Sequence, residues 1–173
     1  HDWDAANLSQ DLAFYGPMLT GTTGPTQRRY YHHFLAGAQR IHHFALDADD
    51  REPDGNSATS AQANWLHAAM SADTTSCFKI VSEHEPSHCS TIGQSEGPDA
   101  TMDWPYASWG ADIVLSGSRH GYERLSVDGI PYVVNGLGGG GLYGDWNIID
   151  PHSVYRFPTT PQRYGAGLIT ITT

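Results

Sequence analysis

The sequence is short of positive charge. Its 173 residues hold 9 Lys and Arg against 19 Asp and Glu, a formal net charge of -10. Such a surface repels nucleic acid and anionic membranes, so no nucleic-acid partner is expected. Long apolar runs are missing as well. No stretch approaches the roughly 20 residues that a bilayer-crossing helix needs, and no membrane span is expected. There is no initiator Met and no signal-peptide pattern, and the opening at His1 reads as a cut or processed N-terminus. Cysteine is scarce, with Cys77 and Cys89 the two present. Paired, they would close a short loop worth about 3 kcal/mol. Two reduced thiols are the equal alternative, because sequence does not supply the geometry a disulfide demands. Few Lys among many Thr, Ser and Gly suit an extracellular protein.

Hydrophobic residues make up 39% and charged residues 16%, which excludes a disordered composition. Nineteen Gly and 10 Pro call for many turns and long loops. Residues 4–15 read as a short helix, with Leu8, Leu12 and Tyr15 at helical spacing. Ser60 is a fitting N-cap for a helix to about Ser71, with Trp65, Leu66, Ala69 and Met70 on its apolar face. Strands are expected over 30–34, 41–46, 78–82, 112–116, 122–127, 130–135, 154–157 and 166–172. Asp128-Gly129 between two of them signals a two-residue type I′ hairpin. Strands with intervening helices argue for an α/β (α+β) chain, a single domain over 1–173 with no internal repeat.

The chemistry-bearing pattern is a strand that ends in a histidine-bearing loop, seen twice. One is FKIVSEHEP, ending near His84; the other is DIVLSGSRH, ending at His120. Ligands at strand ends are a common way to build a site in layered α/β folds. Imidazole suits zinc, iron and manganese-type ions. A lone histidine in a loop is most often just a polar loop residue, so the paired occurrence is what carries weight.

These residues resemble a known family. The run WGADIVLSGSRHGYERLSVDGIPYVVNGLGG (109–139) resembles the last motif block of calcineurin-like metallophosphoesterases, on the purple-acid-phosphatase-like branch. NWLHAAM followed by FKIVSEHEP resembles the block before it. RYYHHF with IHHFALD resembles the preceding strands, and His1-Asp2-Trp3 the tail of the Gly-Asn-His-Asp motif. The resemblance implies the C-terminal part of a layered β-sandwich flanked by helices. It implies hydrolysis of phosphate esters at two metal ions about 3.5–4 Å apart, with divalent Fe, Zn or Mn as cofactors. By the same resemblance His84 and His120 fall on metal-ligand positions. His1 falls on the histidine that approaches the scissile phosphate, with Asp2 orienting it.

The departures from the family pattern matter as much. The first histidine of Gly-His-x-His is Ser118, and Arg119 beside it brings a fixed positive charge. The earlier Asp-x-His and Gly-Asp motifs, with the bridging aspartate, would lie upstream of residue 1. Two dications held that close repel unless anionic ligands lie between them, and zinc normally takes at least three protein ligands. Glu83, Glu85 and His88 beside His84 could make a weak single-cation site, or simply a solvated acidic loop.

Three functions are therefore expected to compete. The first is a metallophosphoesterase part with impaired activity. The second is a degenerate, self-assembling or fibre-forming extracellular subunit. The third is a binding module keeping a phosphate or sugar pocket around Arg119, His1 and His120. A partial fold leaves faces uncovered, so the partner would be a separate N-terminal fragment or further copies of the chain. Asn7-Leu8-Ser9 fits the N-glycosylation pattern. The glycine run 136–141 formally matches a dinucleotide fingerprint, but no helix-like sequence follows it. No serine has a convincing base-and-acid pair.

Overall fold

Short runs of β-branched and aromatic residues, cut apart by Gly, Asp and Pro, pair into one mixed sheet of seven strands. The computed structural model describes residues 31–35, 40–93, 96–157 and 163–172. The strands are β1 (Tyr31–Leu35), β2 (Ile41–Ala45), β3 (Phe78–Ser82), β4 (Ile113–Ser116), β5 (Tyr122–Val127), β6 (Ile130–Asn135) and β7 (Ser153–Arg156). Their order is β1-β2-β3-β4-β6-β5-β7. β2, β3, β4 and β6 run parallel, while β1 at one side and β5 with β7 at the other run antiparallel to their neighbours. The described strands thus form one sheet rather than two facing ones. The expected helix at 4–15 and the residues His1, Asp2 and Asn7 lie outside the described residues.

Position in the sheet follows burial. β3 and β4 are central and bury consecutive residues, Ile80 with Val81 and Ile113 with Val114, so both their faces are covered. β2 and β5 instead alternate, with Phe44 turned to the core in one, and Leu125 and Val127 in the other. The β5–β6 hairpin turns at Asp128 and Gly129, with φ of 50° and 86°. Both values lie in the left-handed region that a type I′ turn requires.

Helix α1 (Ala61–Ala72) connects β2 to β3. Ser60 caps it by accepting a hydrogen bond from the Ala63 N–H. Leu66 and Met70 bury fully against the sheet, and Trp65 and Ala69 are half-buried beside them. Gln62, also fully buried, accepts from the Asp47 N–H and donates to the Asp47 carbonyl, which pins the acidic loop 47–56 to the helix. At the other end, Asp73 meets the buried His42 ring of β2 at 2.8 Å. The return from β3 to β4 passes through a 3₁₀ turn (Ala100–Met102) and a one-turn helix, α2 (Tyr106–Trp109). Trp104 donates from its indole to the Asn56 carbonyl, so this return is tied to the acidic loop.

One expectation is corrected, and of the two readings left open for the cysteines the reduced one holds. Residues 166–172 do not form a strand; they are unpaired and exposed, with Leu168 91% accessible. The Ala-Gly-Leu-Ile-Thr-Ile-Thr pattern has the strand period, but the segment pairs with neither edge strand, β1 nor β7. Cys77 and Cys89 are free thiols, one exposed and one buried. Cys77 precedes β3 and donates to the Arg40 carbonyl at the surface, while Cys89 follows β3 and is buried. Burial pushes the Cys89 thiol up to about 11, so it remains protonated and unreactive.

Leu66→Ala is expected to cost about 2–5 kcal/mol by leaving a cavity under α1. Ser60→Ala should cost about 1 kcal/mol through the lost cap. Urea titrations of the two variants check the ranking, and equal costs would mean that α1 is held by its cap rather than by its buried face.

Candidate active-site edge

In a sheet with parallel central strands the loops after those strands meet at one edge. Here the strand pairing runs on past the strands themselves. The Glu83 N–H donates to the Leu115 carbonyl and the Gly117 N–H to the His84 carbonyl, at 3.0 and 3.1 Å. The loop carrying His84 and Glu85 is therefore zipped to the loop carrying Ser118 and Arg119. That second loop turns sharply: the Arg119 N–H reaches the Gly117 carbonyl and the Gly121 N–H the Arg119 carbonyl. Ser118 is left at φ 52°, a left-handed conformation uncommon for a residue with a side chain. Gly136 lets the next strand end come close, since a Cβ there would lie 1.9 Å from the Arg119 carbonyl oxygen.

The turn aims two side chains at one carboxylate. Ser118 Oγ donates to Glu85 Oε1 at 2.8 Å, and the Arg119 guanidinium lies 2.8 Å from Glu85 Oε2 and 3.0 Å from Ser118 Oγ. Arg119 is 6% exposed and also donates to the Gly97 carbonyl. His84 stands outside this network, exposed, with Nε2 3.8 Å from Glu85 Oε1. His120 leaves in another direction. Its Nδ1 pairs with the Gly141 carbonyl at 2.5 Å and its ring stacks on Tyr143, centroids 4.1 Å apart. The structure thus brings Ser118 and Arg119 together through Glu85, with His84 exposed beside them, while His120 is held by the glycine-rich loop at the same edge.

Two clefts of about 620 and 720 Å³ open on either side of the Arg119–Glu85 pair. Asp49, Asp50, Glu85, Glu96 and Asp99 supply carboxylates to the first, against the guanidiniums of Arg51 and Arg119. Both cations are engaged: Arg51 binds Asp49 with two nitrogens, at 2.8 and 2.7 Å. That hydrogen bonding holds the Asp49 carboxyl below its usual range despite its partial burial. The field in this cleft disfavours an anion such as a phosphate ester.

The weak cation site expected from Glu83, Glu85 and His88 does not assemble. Glu83 turns inward, where its carboxylate accepts from the Ser87 N–H, the Ser87 hydroxyl and the Tyr106 hydroxyl. Burial outweighs these three donors and raises its pKa to about 7. His88 lies toward Asp103 and Asp150 instead.

Solved structures share this fold. A purple acid phosphatase from yellow lupin (Lupinus luteus) seeds matches 84% of the chain, at a TM-score of 0.53 and 16% identity. GAP50, the anchor in the inner membrane complex of Plasmodium, matches 87% at a TM-score of 0.54 and 16% identity. The chain has a metallophosphoesterase-type fold. It spans about half the length of the Plasmodium protein and under a third of the lupin one. No protein-family model matches the sequence, and no curated protein is significantly similar to it.

The metal pair implied by the resemblance is tested by the donors this fold presents. Where the family sequence has its first Gly-His-x-His ligand, a hydroxyl is committed to Glu85. A buried guanidinium is fixed beside it, where a dication would meet like charge. Among the described residues, this turn sets the Ser118 hydroxyl and the Arg119 guanidinium, neither of them an imidazole, beside Glu85. Sequence reasoning flagged Ser118 and Arg119 but missed Glu85 as their partner, because only the register of β3 on β4 makes them neighbours.

Glu83 gives a pH-dependent stability. Its folded pKa of about 7 exceeds the ordinary carboxylate value, so its contribution is full below about pH 4.5 and lost as pH rises through 7. Wild type should melt higher at pH 5.5 than at pH 8 by this term, and Glu83→Gln should flatten that slope. Unchanged slopes in calorimetry would show that Glu83 is ionised in the folded state. Asp73, whose carboxyl is held low despite desolvation by the hydroxyl and backbone donors around it, acts in the opposite sense below about pH 4.

Proposed function

We propose that this chain is a metallophosphoesterase-derived domain, extracellular by composition, that does not itself assemble the two-metal centre and has little or no phosphoesterase activity alone. The observation that carries this reading is the Ser118–Glu85–Arg119 network at the strand-end edge. The guanidinium supplies positive charge where the ancestral fold would use a cation. A guanidinium has no vacant coordination position and cannot deliver an activated water. Ser118 lies inside the chain, so the change is a substitution within the domain. The carboxylate-rich cleft supports the same reading and argues against a phosphate-binding module around Arg119.

A second reading, a non-catalytic structural subunit, draws support from two observations. One structural neighbour of the chain is named as an anchor rather than an enzyme. The outermost strand, β7, exposes Val154 (64%) and Tyr155 (41%). An exposed apolar edge strand is a ready template for pairing with another chain, whether a copy or a separate N-terminal fragment.

Turnover of p-nitrophenyl phosphate, with zinc, manganese or iron added, is expected to stay at background. Ser118→His alone should not raise it, because Arg119 remains. Turnover accompanied by two tightly held metal equivalents would overturn the first reading. For the second, sedimentation should show concentration-dependent assembly that Val154→Lys reduces, whereas a sharp-melting monomer at all concentrations would sink it.

A further inference from the structure

A different cluster lies away from the strand-end edge, over the sheet near Tyr132. His88, Asp150 and His152 each present a ligand atom, all within 4.8 Å of one another. We propose that these three residues bind a single divalent transition metal of the zinc class, with water in the fourth position, and that the ion clips the loop after β3 to the segment before β7.

The backbone assembles the site before any ion arrives. Residues 90–93 run antiparallel to 145–150. The Thr91 N–H donates to the Ile148 carbonyl, the Asn147 N–H to the Thr91 carbonyl, and the Gly93 N–H to the Asp145 carbonyl. Ser90 Oγ accepts from the Asp150 N–H at 2.9 Å while donating to the fully buried Glu123. This fixes Asp150 two residues from His88 across the pairing. The turn at Asp150 then returns His152, whose N–H donates to Asp150 Oδ1 at 2.8 Å.

The side-chain geometry suits a metal. His88 Nδ1 lies 3.8 Å from Asp150 Oδ2, and His152 Nδ1 lies 2.9 Å from Asp150 Oδ1. Ligand atoms about 2.1 Å from a tetrahedral zinc are about 3.4 Å apart, so small shifts close the site. The opposite nitrogen of His88, Nε2, meets Asp103 Oδ1 at 3.0 Å. A carboxylate behind a ligating imidazole fixes its orientation and raises its basicity. The His88 ring is further held edge-on by Tyr132 at 5.5 Å. The two imidazoles cross at 81°, centroids 5.2 Å apart, leaving Nδ1 of each directed toward the carboxylate. Metal entry displaces the proton between His152 and Asp150, which leaves to solvent. The His152 side chain is 43% exposed, which gives the ion a path in.

Cobalt titration of the chelator-treated, full 173-residue chain tests this, with zinc as competitor. One equivalent should bind, with the visible absorption of a tetrahedral cobalt site that zinc abolishes. His152→Ala alters an exposed side chain and should remove saturable binding while the circular dichroism is unchanged. His88→Asn should do likewise. Asp103→Asn should weaken binding about 10–100-fold. His84→Ala, at the strand-end edge, should leave it intact, which separates this site from any ancestral metal centre. The proposal fails if no saturable binding occurs, if binding survives both histidine changes, or if it is lost with His84→Ala.

Discussion

The register of β3 against β4 is the constraint on which the rest depends. Three strand pairs, from Ile80 with Ile113 to Ser82 with Leu115, continue into two loop hydrogen bonds that bind Glu83 to Leu115 and His84 to Gly117. A slip of one residue would turn Ile80 and Val81 to the wrong faces and break the loop pairing. Both strands are buried on both sides, which makes that slip costly. The strand-end edge, with its clefts and its charges, is a consequence of this register.

At that edge the decisive element is the burial of a guanidinium. A buried charge is tolerated when it is paired and hydrogen-bonded. Arg119 has Glu85, the Ser118 hydroxyl and the Gly97 carbonyl around it. Its Nε is buried without a hydrogen-bond partner among the described residues, and its fixed charge opposes a cation beside it. Ser118 and Arg119 share one acceptor, the Glu85 carboxylate. The fold persists because its core, Phe44, Leu66, Met70, Trp104 and Tyr132 among others, is separate from that edge.

The neighbouring region shows the opposite logic. Around His88 the carboxylates Asp103 and Asp150 face imidazoles rather than guanidiniums. Among the described residues these are the groups that converge with metal-ligand spacing. This grouping of donors is set by the pairing of 90–93 with 145–150.

Much of the framework was legible in the chain. The cap at Ser60, the hairpin at Asp128-Gly129 and the strand runs at 41–46, 78–82, 122–127 and 130–135 depend on nearest neighbours and a short period, so they can be read locally. Residues 166–172 misled because strand period is not sufficient; a strand also needs a paired neighbour, and period does not say whether one is made. That Ser118 and Arg119 lie on the turn after β4 could also be read locally, from the Gly that ends the strand run. What the sequence by itself determined was the identity of the groups and the elements that carry them. Only the tertiary structure decided which groups meet: Glu85 with Arg119, Glu83 inward to Tyr106, and His88 with Asp150 rather than His84. Those contacts join residues 23 to 62 positions apart, and they are set by strand register and loop pairing, which no local pattern encodes.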